Sequence, residues 1–197
     1  MRLFLGAVLA AVLSFGWGML SWQVLDWRQN GMHGFTQESE VGDLIKKSVP
    51  DGSGIYVLPH LNRPSDLALP DEIAASQTAY DKALSDGPYI YAIVRPGRAL
   101  WDRTTQMIYS FGRSLVCCLI LGMLLQATTI PYAARIAFVA AAGLFAGLAV
   151  DAPMYIWFEM AGRDLGVAIA DHVIEWSLAG IVLGLFCGKE PTFQDGF

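Results

Sequence analysis

The sequence predicts a membrane protein, an all-α four-helix bundle with a small extracytoplasmic α/β lobe between its first and second helices. The composition is the first reason, because 54% of the residues are hydrophobic, 16% are charged and the mean hydropathy is +0.43. Such values are too apolar for an ordinary soluble domain and fit a chain partly dissolved in lipid. The second reason is that four apolar stretches are long enough to cross a bilayer, and the third is that polar residues concentrate between the first two stretches.

The first predicted membrane helix covers residues 1–25. No charged residue occurs between positions 3 and 25, a run that would measure about 34 Å as a helix. Arg2 precedes the run, as in a secretory signal, but the apolar region is too long for one and lacks a clear small-residue cleavage site. The segment is therefore predicted to be an uncleaved signal-anchor, with Trp22 and Trp27 at the far membrane interface.

The extracytoplasmic lobe is predicted to span residues 26–103, a polar segment with many proline and glycine turn signals. Thr36 is expected to cap its first helix, and Pro70 to start its second. Because two strands alone are marginally stable in water, the lobe is expected to lean on the membrane helices or on a partner. Helices and strands are expected in the order α-β-α-β, at residues 37–48, 55–58, 71–84 and 89–94.

Three further membrane helices are predicted within residues 104–188, at about 105–130, 133–158 and 165–187, followed by a cytoplasmic tail at 189–197. Their connections are short, so consecutive helices should be antiparallel neighbours. Glycines recur at a spacing of four residues, which allows close packing of helix backbones in lipid. The alternative is that glycine is simply frequent in membrane helices. These glycines are Gly143 and Gly147 in the third helix and Gly180 and Gly184 in the fourth, with Gly188 continuing the second row.

The distribution of positive charge predicts the orientation. Arg2, Arg135 and Lys189 would lie on the cytoplasmic side, whereas Arg163 on the other side is accompanied by nearby acids. Both termini are therefore predicted to be cytoplasmic, and the lobe to lie in the periplasm of a bacterium. The predicted location is the bacterial inner membrane.

Ionisable residues inside the predicted membrane helices form the one candidate site. Asp171, His172 and Glu175 lie in the fourth helix, and Asp151 and Arg113 lie at a similar depth in the third and second helices. Arg113 is expected to face one or more of the three carboxylates, with His172 nearby. One guanidinium against three carboxylates would leave surplus negative charge, which would hold a proton or a cation. The alternatives are a purely structural role in fixing helix register and a docking surface for a larger complex.

Other kinds of site find little support in the sequence. A net charge of −5 argues against a nucleic-acid partner. Cys117, Cys118 and Cys187 lie in apolar segments and match no metal-ligand spacing, so they are interpreted as buried apolar residues. The sequence has no recognisable catalytic or nucleotide-binding motif, and no metal or cofactor is expected.

Several structural motifs extend over most of the chain: Gly16-Trp17-Gly18 with Ser21-Trp22, His33-Gly34-Phe35-Thr36 with Glu38 and Val41, Gly54-Ile55-Tyr56-Val57-Leu58-Pro59, Gly87-Pro88 with Ala92, Pro153 with Tyr155 and Trp157, and Trp176 with Ala179-Gly180. In these motifs the chain resembles a group of small bacterial inner-membrane proteins with four spans. The resemblance implies a bacterial origin and four spans, and no activity comes with it.

The function expected from the sequence is that of a non-enzymatic accessory or interaction subunit. Its expected partners are the lipid bilayer and other membrane protein subunits or a second copy of the chain. One alternative is a small ion- or proton-conducting module that uses the carboxylate cluster. A second alternative is a membrane enzyme with its site at the seam between lobe and membrane.

Overall fold

A computed structural model describes residues 1–49, 52–61 and 69–189. The described chain is mostly helical, and the predicted four long apolar helices and small two-stranded sheet are confirmed. It divides into two compact units, a helical unit (residues 1–33 and 101–189) and a lobe (residues 34–100). The elements are α1 (Arg2–Gln23), α2 (Glu38–Ser48), β1 (Gly54–Leu58), α3 (Pro70–Asp86), β2 (Ile90–Val94), α4 (Arg103–Gln126), α5 (Tyr132–Phe158) and α6 (Gly162–Phe186), with a short 3₁₀ helix at Gln29–Gly31.

Helix α6 is the centre of the helical unit. It packs extensively against α5 and α1 and to a smaller extent against α4, and α1 also packs against α4. Small side chains fill much of the core, because Ala7, Ala10 and Ala11 form one buried face of α1. Of the predicted tail, only Lys189 lies within the described residues.

The glycine rows lie in the interface between α5 and α6. A Cβ atom added at Gly143 would stand 2.7 Å from the backbone oxygen of His172, and one at Gly147 would stand 3.2 Å from the Cα atom of Ile169. In the facing helix, a Cβ atom at Gly180 would stand 3.2 Å from Ile136 Cα. Gly184 in turn lies against the ring of Tyr132. The absence of these side chains lets the two backbones approach closely.

The outward surface of the helical unit is apolar. Many large hydrophobic side chains on α1, α4, α5 and α6 are exposed, which is the opposite of the polar outer face of a helix in a soluble protein. Examples are Phe4, Ile108, Phe145, Val150, Trp157 and Leu185.

The segment after α1 folds back on the helical unit. Asp26 adopts a positive φ of 52° and reverses the chain, after which Trp27 donates a 2.8 Å hydrogen bond to Ser21 Oγ and packs edge-on against Trp17. Residues 26–33 therefore belong to the helical unit, and the lobe is narrower than the 26–103 expected from composition. At the other boundary, Asp102 caps α4 by accepting a 2.8 Å hydrogen bond from the Thr105 backbone N–H. This bond lowers the pKa of the Asp102 carboxyl below its usual value.

The lobe has the predicted α-β-α-β order. Strands β1 and β2 are antiparallel, with Ile55 opposite Ile93. One detail of the prediction is wrong: the N-cap of α2 is Gln37 rather than Thr36, and the helix begins at Glu38 without a side-chain cap. Glu38 and Glu40 in its first turn stabilise the helix in place of a side-chain cap, because negative charge is favourable at a helix N-terminus.

The lobe buries little of its apolar surface. Among its described residues only Val49 is buried, whereas Ile55 is 60% and Ile93 is 83% exposed. This cross-strand pair lies on one face of the sheet, because residues directly opposite in an antiparallel ladder point the same way. The described lobe therefore leaves an apolar sheet face uncovered.

Candidate functional site: a polar layer around helix α6

The first part of the site is the carboxylate of Glu175, which connects three helices. Glu175 is buried, and its Oε1 atom accepts a 2.7 Å hydrogen bond from Ser14 Oγ in α1 and a 3.0 Å bond from Arg113 Nη2 in α4. Hydrogen bonds to a charged acceptor are stronger than neutral ones, and burial strengthens them further. Glu175 therefore holds α1 and α4 on α6.

The second part is Asp171, one helical turn before Glu175 and on the same face of α6. Its Oδ1 atom accepts a 2.7 Å hydrogen bond from Trp17 Nε1, and its Oδ2 atom accepts a 2.7 Å bond from Arg28 Nε and forms an ion pair with Arg28 Nη2. The Arg28 guanidinium also lies over the Trp22 ring, 5.1 Å from its centroid. Asp171 therefore holds both α1 and the segment after it, which contains Arg28, against α6.

The third part is the pair formed by His172 and Asp151, where α6 faces α5. His172 Nε2 lies 3.2 Å from Asp151 Oδ2, close enough for an ion pair if the imidazole is protonated. The two groups lack hydrogen-bond geometry, and among the described residues neither Asp151 Oδ2 nor the buried His172 Nδ1 has a hydrogen-bond partner. Asp151 continues the row of Gly143 and Gly147 by one turn, so the close contact of α5 and α6 brings the pair together.

The structure thus distributes the predicted cluster over two sides of α6. Arg113 contacts Glu175, while Asp171 and Asp151 have other partners. Arg28 provides a second guanidinium, so three carboxylates face two arginines rather than one: Asp171 and Glu175 each have their own arginine, and Asp151 faces His172.

Three contributors to the layer were missed by the sequence analysis: Ser14, Trp17 and Arg28. A weak signal existed for the first two, since Ser14 and Trp17 are three residues apart and share one face of the apolar first helix. Arg28 gave no such signal, because its position depends on the chain reversal at Asp26.

A second polar anchor lies at the opposite end of α6. Arg135 is buried, donating from Nη1 to the Gly184 carbonyl and from Nε to the Ile130 carbonyl, both at 2.9 Å. Tyr132 Oη donates a 3.0 Å bond to the Ile181 carbonyl. Arg135, counted in the sequence as a loop charge, therefore satisfies the Gly184 carbonyl in the last turn of α6 and the Ile130 carbonyl just before α5.

The described residues contain no group of three or more His, Cys, Asp or Glu side chains placed to hold a metal ion. Asp171 and Glu175 accept hydrogen bonds from fixed donors, an arrangement suited to holding helices in register. Comparison of the chain with protein-family models, with curated proteins and with solved structures finds no match.

Proposed function

We propose that this chain is a multi-pass protein of the bacterial inner membrane and serves as a non-enzymatic accessory subunit. In this proposal both termini are cytoplasmic, and the lobe lies in the periplasm, where it binds another membrane protein subunit or a second copy of the chain. Membrane insertion is supported by the combination of exposed apolar side chains on α1, α4, α5 and α6 and ion pairs that join α4 and the segment after α1 to α6. Lipid favours this arrangement, because ionisable groups avoid hydrocarbon and face other helices.

The observation that carries the interaction role is the uncovered sheet face of the lobe. Ile55 and Ile93 lie side by side and are largely exposed. Burying such a pair is worth several kcal/mol, at roughly 1.5–3 kcal/mol for each fully buried aliphatic side chain. A partner that covers this face would supply the burial that the lobe lacks.

The ion- or proton-conducting hypothesis stays a prediction: Asp171 and Glu175 each have an arginine partner, whereas Asp151 faces His172. The hypothesis of an enzyme at the seam between lobe and membrane stays a prediction. The accessory-subunit proposal rests on the exposed apolar sheet face of the lobe, and substitutions in that face test it.

Ile93→Asp is expected to remove the protein from its complex. A charge in this apolar sheet face opposes burial against a partner, so we expect at least a fivefold loss of the co-purifying partner or of the homo-oligomer. The measurement is the mass of the full-length protein, purified in mild detergent, by light scattering and mass spectrometry. Ile73→Asp provides a matched control, because Ile73 is 52% exposed but lies on α3. A wild-type protein that is a lone monomer, or equal losses in both variants, would contradict the proposal.

A further inference from the structure

A groove between α1 and α4 has an unusual lining for a membrane helix pair. Its volume is about 360 Å³, and it contains a stripe of polar residues from one face of α4. The stripe follows the helical spacing i, i+3, i+7 and i+10. It consists of Arg103, Gln106, Ser110 and Arg113.

The two arginines of this groove have unused hydrogen-bonding capacity. The Arg113 side chain is 60% exposed, and only its Nη2 atom donates, to Glu175 and, at 3.3 Å, to Ser114 Oγ. The Nε and Nη1 atoms of Arg113 have no acceptor among the described residues. The Arg103 side chain likewise forms no ion pair or hydrogen bond with any residue that the structure describes. Glu175 therefore balances one of the two positive charges.

The membrane environment makes these free donors costly. This step rests on the proposed function, because in a bilayer the groove would open toward lipid. Arg113 lies about 15 Å along the helix axis from Arg103, well below the level of the helix start. Glu175 balances the charge of Arg113, but the free Nε and Nη1 donors of Arg113 are costly at such depth because hydrocarbon offers them no acceptor. An anion that enters from the lipid side would meet both arginines.

The remaining lining fits an amphiphile. Phe15 and Met19 of α1 and Met107 of α4 offer apolar surface next to the polar stripe. A phosphodiester carries one negative charge and offers acceptor oxygens to the planar guanidinium fork, while acyl chains would cover the apolar side chains. The apolar side chains therefore favour a ligand with acyl chains, and the positive charge favours an anionic headgroup over a zwitterionic one.

We propose that the α1–α4 groove is a binding site for the headgroup of an anionic phospholipid. Arg103 and Arg113 bind the phosphate, and Gln106 and Ser110 donate to its oxygens or to the polar headgroup. The acyl chains lie along Phe15, Met19 and Met107. The lipid thereby fills the space that α1 and α4 leave between them.

Native mass spectrometry of the full-length protein tests this site, with dioleoyl phosphatidylglycerol, dioleoyl phosphatidylcholine and inorganic phosphate as separate probes. We expect wild-type protein to retain one phosphatidylglycerol, at least fivefold more than phosphatidylcholine, and inorganic phosphate not to compete. Arg103→Gln should reduce retention at least fivefold. Arg113→Lys, which keeps a positive charge for Glu175, should reduce it at least threefold through loss of the fork.

Arg163→Gln is the matched control, because it removes an exposed positive charge from the first turn of α6, outside the groove. It should leave phosphatidylglycerol retention unchanged. Equal retention of both lipids, an equal loss in Arg163→Gln, competition by inorganic phosphate or a protein segment cross-linked in the groove would each overturn the lipid site. If carbonate washing strips the chain from membranes, the proposed membrane insertion fails; if the chain resists washing but retains no phosphatidylglycerol, only the lipid site fails.

Discussion

Asp171→Ala is expected to lower the free energy of unfolding by about 3 kcal/mol, the lower end of the range for a broken buried ion pair. The substitution leaves the Arg28 guanidinium and the Trp17 N–H without their acceptor. We expect the lower end of this energy range because the Arg28 side chain is 21% exposed and can turn toward water once Asp171 is removed. Reversible unfolding in mixed detergent micelles, followed by circular dichroism, measures the change.

A double-mutant cycle separates the ion pair from the loss of a polar group. Asp171→Asn keeps an oxygen for Trp17 but removes the charge, so it should cost less than Asp171→Ala. Combined with Arg28→Gln, Asp171→Ala should cost clearly less than the sum of the two single changes, because their interaction is lost only once. Strict additivity would show that the two groups do not interact. Asp43→Ala breaks an exposed i,i+3 pair with Lys46 and should have little effect.

Gly143→Ala is expected to destabilise the helical unit by about 2–3 kcal/mol, a large effect for the addition of one methyl group. The new Cβ atom would stand 2.7 Å from the backbone oxygen of His172 and 2.8 Å from Trp176 Cβ. A backbone oxygen cannot rotate away as a flexible side chain can, so α5 and α6 must separate. With the larger Gly143→Leu change, we expect little folded protein to be recovered from detergent.

Gly112→Ala is the control for this substitution. Gly112 also lies inside a long apolar helix, but among the described residues no atom of a neighbouring element lies within 4 Å of the position of its Cβ. Alanine is favoured over glycine in a helix by up to about 1 kcal/mol, so the variant should be as stable as the parent or slightly more stable. Equal unfolding transitions for Gly143→Ala and Gly112→Ala would contradict the close α5–α6 contact.

The long helices could be predicted because hydropathy and helix-ending signals are local properties of the sequence. Their ends differ from the prediction by a few residues: α4 ends at Gln126 rather than about 130, and α6 begins at Gly162 rather than about 165. Thr128 explains the first difference, since its Oγ1 and backbone N–H both bond to the Leu125 carbonyl and close the helix early.

The candidate site could be predicted only in part. Helical rise places Arg113 and Glu175 at a common depth, and the structure brings them into contact. Helix rotation, which decides which carboxylate each helix meets, depends on packing along the glycine rows rather than on any local signal. The Asp171–Arg28 contact also requires the chain reversal at Asp26, which joins residues 143 positions apart.

The long sequence separation of these contacts has a consequence for how the protein is made. Of the four long helices, α6 has the lowest mean hydropathy, 1.5 against 2.1 for α1, and it is the last to leave the ribosome. By then Ser14, Trp17 and Arg28 have long been synthesised, so the acceptors on Asp171 and Glu175 meet donors already in place. In the proposed membrane setting, α1 thus presents hydrogen-bond donors to the carboxylates of α6 as α6 inserts. A chain that lacks α1 would therefore deliver α6 to the membrane without the Ser14 donor of Glu175 and the Trp17 donor of Asp171.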